Sequence, residues 1–300
     1  MDGVSIETEE QLESLLSEPS PRVIETLGGL PGDIVLLGVA GKMGPTLARM
    51  AKRASDSAGV RRRVIGVSRF SAGGQEALRA HGIETISCDL LNADDVARLP
   101  DAANVLFLAG RKFGSTGDEA ATWAMNGYLP GLICRKYRAS RIVAFSTGNV
   151  YGLVPVQSGG SREEDPPRPV GEYAMSCLGR ERIFEYFSRS FGIPTALIRL
   201  NYACELRYGV LVDLARRIRA VETIDLSMAY LNTLWQGDAC AVGPQTPAIR
   251  ATGLPFRSSA RSISSAHSWS SGWKSPCRGS RMANWVVCTP TARPPAPASR

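Results

Sequence analysis

The sequence predicts an α/β fold in which a parallel sheet is covered by helices on both faces. Three observations predict it. Short runs that are apolar throughout recur along the first two hundred residues, in place of the alternation that a half-exposed strand shows. Amphipathic stretches of helical period separate them, so successive strands are joined by crossovers and not by hairpins. A glycine cluster closes the first run and opens the first of these helices. At 300 residues, 44% hydrophobic and 21% charged, the chain has ample apolar surface for a buried core.

Taken in order, Thr8-Glu9-Glu10-Gln11 reads as a capping box, with the Thr8 hydroxyl on the Gln11 amide and the Gln11 side chain reaching back. Leu12, Leu15 and Leu16 follow at helical spacing, and Pro19 and Pro21 are expected to end that helix. Residues 1–30 are thus a helical extension that packs or docks. Ile34–Leu37 is the first strand and Pro45–Ala54 the helix after it. Val64–Val67 is the second strand, followed by a helix near Gln75–His81 and a third strand, Glu84–Ile86, leading to Cys88-Asp89. Asn104–Leu108, Arg141–Phe145 and Thr195–Ile198 complete six strands, so residues 31–200 read as one domain. Residues 201–240, with a helix at Val210–Ala220 and a stretch ending Trp235-Gln236-Gly237-Asp238, begin a second, smaller lobe.

Beyond position 241 the composition changes. Sixty residues carry eleven serines, eight prolines, eight basic residues and no acid, without a sustained period of strand or helix. They hold the whole basic excess: of 35 basic and 28 acidic residues, 27 and 28 remain in residues 1–240. The net charge of +7 is therefore no sign of a nucleic-acid surface on the folded part. Residues 241–300 read as a disordered Ser/Arg/Pro-rich tail or as a GC-rich gene translated in a shifted frame. Trp269, Trp273, Trp285 and Val286-Val287 favour the second. The acidic N-terminus predicts no secretory leader, and no apolar run approaches the ~20 residues of a membrane span. Seven cysteines without ligand spacing read as reduced thiols of a cytoplasmic protein. His81 and His267 join no constellation, so no metal is expected.

Gly38-Val39-Ala40-Gly41-Lys42-Met43-Gly44 follows the first strand directly and opens a helix. Such a turn lets backbone approach a pyrophosphate, which then meets the amides and positive end of the helix. In a strand–turn–helix context this predicts a dinucleotide site in a Rossmann-type doubly wound parallel sheet. The ribose of the adenosine half is read at the end of the second strand, where an acid suits NAD and a base NADP. Here Ser68 and Arg69 stand there without a carboxylate, and Lys42 adds a positive group, so the expected cofactor is NAD or NADP with a lean to NADP. Asp89, after the third strand, faces the adenine or caps a helix.

These features resemble the extended short-chain dehydrogenase/reductase family, the NAD(P)-dependent epimerases and dehydratases of nucleotide sugars, over residues 33–240. The resemblance is carried by Gly38–Gly44, by Asp89-Leu90, by Leu108-Ala109-Gly110 after the fourth strand and by Asn126. Its most specific parts are Ser146-Thr147-Gly148-Asn149-Val150-Tyr151-Gly152, which looks like the family's S-[ST]-x-x-V-Y-G, and Tyr173, which stands where the family has its catalytic tyrosine. It implies Gly38, Gly41, Lys42, Met43, Gly44, Ser68, Arg69, Asp89, Leu90, Ala109 and Gly110 on the cofactor, and Asn126 and Asn201 on substrate. Thr147 would hydrogen-bond the reacting oxygen and Tyr173 would move its proton. It further implies a sugar or nucleotide-sugar substrate, a substrate lobe that residues 201–240 begin and leave incomplete, and a homodimer built on helices flanking the sheet.

The chain departs from the family's Y-x-x-x-K, reading Tyr173-Ala174-Met175-Ser176-Cys177. In the family the lysine holds the nicotinamide ribose and lowers the tyrosine pKa. Bringing a phenol from ~10 to neutrality is worth about 4 kcal/mol, which a thiol at Cys177 does not supply. Arg180, two turns along the same helix face, is the candidate to supply part of that field. Two functions follow: an NAD(P)-dependent epimerase/dehydratase-type oxidoreductase working by hydride transfer, or a catalytically inactive NAD(P)-binding sensor or scaffold of the same fold.

Overall fold

The computed structural model describes residues 5–112, 116–224 and 230–246, with the backbone pair Trp285–Val286. The readings made of the tail otherwise lie outside the described residues. Six strands form one parallel sheet: β1 (Ile34–Leu37), β2 (Val64–Ser68), β3 (Glu84–Ser87), β4 (Asn104–Phe107), β5 (Arg141–Thr147) and, after a two-residue β6 (Val154–Pro155), β7 (Thr195–Leu200). Their order is β3-β2-β1-β4-β5-β7, and every neighbouring pair is parallel. This is the Rossmann-type α/β sheet that the unbroken apolar runs predict.

The reason lies in where alternate side chains go. Ile34 and Leu36 join one core cluster with Leu106, Val143 and Ile198. Val35 and Leu37 join the other with Val105, Phe107, Ile142 and Leu197. Both faces of each central strand are buried, so each residue of the run must be apolar. On the first face lie α2 (Pro21–Gly28) and α3 (Gly44–Ser57), through Val23, Leu27, Leu47, Met50 and Ala54. On the second lie α5 (Ala93–Arg98), α7 (Leu129–Lys136) and α8 (Gly171–Phe191), through Val96, Ile133 and Phe184.

Residues 9–28 are built into the first face. The capping box at Thr8 is formed and starts α1 (Glu9–Leu16). Pro19 and Pro21 do not both act as stops. Ser20 caps a second helix, accepting from Val23 N at 3.4 Å, and Pro21 opens it, where a missing N–H is harmless. Glu10 pairs with Arg49 at 2.7 Å and Glu13 accepts from Thr46 at 3.0 Å, so α1 is tied to the helix that follows the glycine loop. The last helix among the described residues, α10 (Gln236–Gln245), crosses position 241 and buries Cys240 against the same face. Between β7 and α10 lie β8 (Tyr202–Cys204), α9 (Val210–Arg219) and β9 (Thr233–Trp235); β8 and β9 pair in parallel. Trp285–Val286 pairs antiparallel with β6.

Candidate functional site

The chain runs β1-β2-β3 to one edge, then returns beside β1 with β4. The loops after β1 and β4 consequently diverge at the carboxyl ends of adjacent strands, the crevice in which open α/β sheets bind ligands. A cleft of about 270 Å³ lies there. Gly38, Gly41, Ser68, Arg69, Asp89, Leu90, Ala109 and Gly110 all line it, and Ala40, Phe70, Ser71, Ala72, Cys88, Leu108 and Met125 complete its walls. Lys42, Met43 and Gly44 stand outside that lining.

Two glycines of the loop are set by space and backbone. Gly38 has φ +87°, and a Cβ there would meet the Ala109 backbone at 2.7 Å, so it lets β1 and β4 end side by side. A Cβ on Gly44 would sit 2.1 Å from the Val39 carbonyl oxygen, so α3 can start directly against the turn. No side chain caps α3; in its first turn Gly44 N donates to Gly41 O at 3.2 Å and Pro45 has no N–H. A cradle that any Cβ would fill, an uncapped helix and a cleft at the switch point fit a dinucleotide pyrophosphate. Ser68 and Arg69 end β2 at the same cleft. Asp89 accepts from Leu91 N at 3.1 Å, while the cap of α5 is Asn92, accepting from Asp94 N and Asp95 N. Asp89 is exposed, lines the cleft and is not that helix's cap.

Thr147 ends β5 and is buried; its hydroxyl accepts from Asn149 N at 3.2 Å. Tyr173 lies in the first turn of α8, beside Thr147. Burial pushes its phenol well above the ordinary range, and the Cys177 thiol pushes it further, while the Thr147 hydroxyl and Arg180 pull it down. Cys177 is buried with Val150 and Tyr151, and burial also raises its thiol. Arg180 is buried too, but it reaches away from Tyr173. It donates to the Phe145 carbonyl at 2.8 Å and to Asn126 Oδ1, and lies 5.5 Å over the Phe107 ring. Its guanidinium forms the floor beneath Gly110, where a Cβ would meet Nη2 at 2.3 Å.

Asn126 sits in a π-helical turn, Ala124–Tyr128, a local widening that often marks functional sites. Its amide nitrogen donates to Arg111 O at 3.0 Å and Ser176 Oγ at 2.9 Å, and its oxygen accepts from Arg111 N at 2.9 Å and from Arg180. Wholly buried and fully engaged, it braces the loop after β4 against α8 and does not face a ligand in this arrangement. Asn201, just after β7, packs against Gly148, where a Cβ would meet its Oδ1 at 2.4 Å.

Three further groups, Lys112, Glu181 and Arg199, escaped sequence reasoning, whereas Lys42 did not. Lys112, after β4, holds its ammonium 5.9 Å from the centre of the Tyr173 ring and 4.7 Å from that of Tyr202. Lys42 lies 4.4 Å over the Tyr208 ring, whose hydroxyl donates to the Lys42 carbonyl at 3.0 Å. Glu181 and Arg199 form a buried ion pair at 2.6 Å beneath β5, with Ser146 donating to Glu181 at 2.5 Å and Arg199 to Tyr151. The signal for Lys112 was present as a basic residue just past Leu108-Ala109-Gly110. Nothing local marked the others. Among the described residues no group of His, Cys, Asp and Glu could hold a metal, and no helix is long and apolar enough to cross a membrane.

Comparison with known proteins places this geometry. The fold resembles a UDP-glucuronic acid 4-epimerase from Bacillus cereus in complex with NAD at 19% identity and a TM-score of 0.55, covering 69% of this chain and 71% of that one. It resembles a UDP-glucose 4-epimerase with UDP-glucose from Thermotoga maritima at 18% identity and a TM-score of 0.57, covering 70% and 72%. A dTDP-glucose 4,6-dehydratase from Streptomyces venezuelae, with NAD and TYD bound, gives 20% identity and a TM-score of 0.58, covering 72% of each chain. Among curated proteins, none matches the chain by sequence. The sequence pattern of the NAD dependent epimerase/dehydratase family matches residues 34–204. With that match spanning more than half its length, the chain belongs to the NAD dependent epimerase/dehydratase family.

Proposed function

We propose that the chain is an NAD(P)-dependent epimerase or dehydratase that oxidises and re-reduces a nucleotide-sugar alcohol. The observation that carries this reading is Tyr173 beside Thr147, at the carboxyl end of the sheet whose switch-point cleft is lined by the glycine loop. Gly38, Gly41 and the start of α3 would hold the pyrophosphate, with Ala109 and Gly110 closing the opposite wall; Ser68 and Arg69 would take the adenosine ribose. The bound dinucleotide supplies the hydride acceptor and donor. Thr147 orients the sugar oxygen, and Tyr173 takes its proton as the C–H bond breaks and returns it on reduction. Asn126 and Arg180 hold the floor of the site, and Asn201 borders its substrate side. Arg69 just after β2 supports NADP over NAD, whereas structural relatives were solved with NAD. A homodimer through α6 (Glu119–Trp123), α7 and α8 is part of the proposal, supported by the exposed Trp123, Tyr128, Met175 and Tyr186.

The test is to incubate the protein with UDP- and dTDP-hexoses and catalytic NAD or NADP, following products by proton NMR. The reading requires an epimer or a dehydrated keto-sugar with the native chain and none with Tyr173→Phe. Failure to convert any such sugar, by a chain that binds dinucleotide, contradicts it. One observation favours a second reading, a dinucleotide-binding sensor without turnover: Cys177 replaces a cation one turn from Tyr173, and burial holds the phenol protonated.

A further inference from the structure

We infer that Lys112 supplies this site with the ammonium that position 177 lacks, entering from the loop after β4 toward Tyr173 and a bound anionic dinucleotide. The inference rests on the dinucleotide reading above for its ligand. Three features of the chain carry it.

The first is placement. Lys112 follows Ala109 and Gly110, which line the cleft, by three and two residues, and its ammonium stands 5.9 Å from the Tyr173 ring centre. With Tyr202 at 4.7 Å, it lies between two aromatic rings at the range where a cation is attracted to a ring face. The second is that the placement is built. The backbone just before Lys112 is clamped by the buried Asn126, which accepts from Arg111 N at 2.9 Å and donates to Arg111 O at 3.0 Å. Arg111 also pairs with Asp118 at 2.7 Å. Asn126 is in turn bonded to Ser176, which bonds Tyr173 O at 2.9 Å, so one chain of contacts sets both the lysine loop and the tyrosine turn. The third is electrostatic. Burial and the nearby Lys42 both press Lys112 toward its neutral form, while the Cys177 thiol opposes them. Lys42 and Lys112, both exposed, repel each other, and a pyrophosphate bound beside them would attract both. Arg180, another cation near Tyr173, directs Nη1 to the Phe145 carbonyl and Nη2 to Asn126 Oδ1, whereas Lys112 faces the Tyr173 and Tyr202 rings.

The test uses the full chain and four variants, K112M, K112R, C177K and K112M/C177K, each checked for folding by circular dichroism, with NADH as the fluorescent probe. K112M is expected to bind NADH about tenfold more weakly, the effect of one charged contact, and K112R to bind within about twofold of native. The double variant is expected to recover native affinity, because its ammonium enters from α8 in place of the loop. Native affinity in folded K112M overturns the inference, as does a double variant as weak as K112M. If the buried lysine of C177K unfolds the chain, K112M against K112R decides: loss in the first and retention in the second supports the assignment, and equal affinities overturn it. Absence of sugar turnover in every variant, with this affinity pattern intact, contradicts the epimerase/dehydratase reading and leaves Lys112 assigned.

Discussion

Burial raises the Tyr173 phenol while Thr147 and Arg180 lower it, so the ionised base is a minor species at neutral pH and the rate is expected to climb on the alkaline side. Tyr173→Phe removes the proton carrier and leaves the cleft walls alone. Turnover is expected to fall about 10²–10⁴-fold with NADH affinity unchanged, read by steady-state kinetics beside a binding titration. Arg180 is different, because its removal takes a charged donor from the Phe145 carbonyl and one of two donors from the Asn126 oxygen inside the protein. Arg180→Met is expected to cost about 2–4 kcal/mol in urea unfolding, from two buried acceptors each losing a charge-assisted partner. At this scale Thr147 and Tyr173 were legible, because each sits inside a short motif with its own spacing. Arg180 was legible as a position but not as a direction: seven residues along a helix places it on the tyrosine's face, yet its guanidinium turns toward β4 and β5. Lys112 was visible as a basic residue past Gly110, but its place beside Tyr173 and the Asn126 clamp were not legible, since they depend on a loop after β4 meeting a helix some fifty residues later.

The elements around the cleft depend on close backbone approach. Gly44→Ala would drive a methyl into the Val39 carbonyl, 2.1 Å from its ideal position, and so push α3 off the turn. The expected outcome is a loss of about 1–3 kcal/mol in stability together with loss of NADH binding, since the helix start and the phosphate cradle are one structure. The N-terminal cap offers a control away from the site. Thr8→Ala removes the acceptor for Gln11 N and should lower stability by ~1 kcal/mol without touching NADH affinity. The six sheet strands and the capping box could be read from pattern alone, because apolar runs and cap chemistry are local. α2 could not, since Pro21 reads locally as a stop and becomes a first helical residue only once Ser20 caps it. α10 was masked by small residues, Ala239, Gly243 and Pro244, whose burial becomes evident only against α2 and α3.

Across the whole molecule, the sheet order fixes what the separate elements cannot: it sets the loops after β1, β2 and β4 around one cleft. Sequence pattern gave the strands and their parallel sense but not their order, which decides that Ser68, Asp89 and Gly110 meet. The same buried sheet makes the fold sensitive to alkali. Burial raises the Cys88 thiol to about 11 and the Cys134 thiol to about 12, against 9.0 when exposed. The unfolded chain therefore loses these protons first. Their contribution is complete below pH 9 and disappears as pH rises toward 11–12. Urea midpoints should fall between pH 9 and 11, and Cys88→Ala with Cys134→Ala should flatten that slope. The central claim, that the switch-point cleft holds a dinucleotide, is tested most directly by fluorescence titration with NADH and NADPH side by side. The proposed function predicts saturable binding, tighter for NADPH, with the difference removed by Arg69→Ala. A cooperatively folded protein that leaves the fluorescence of both unchanged would contradict it.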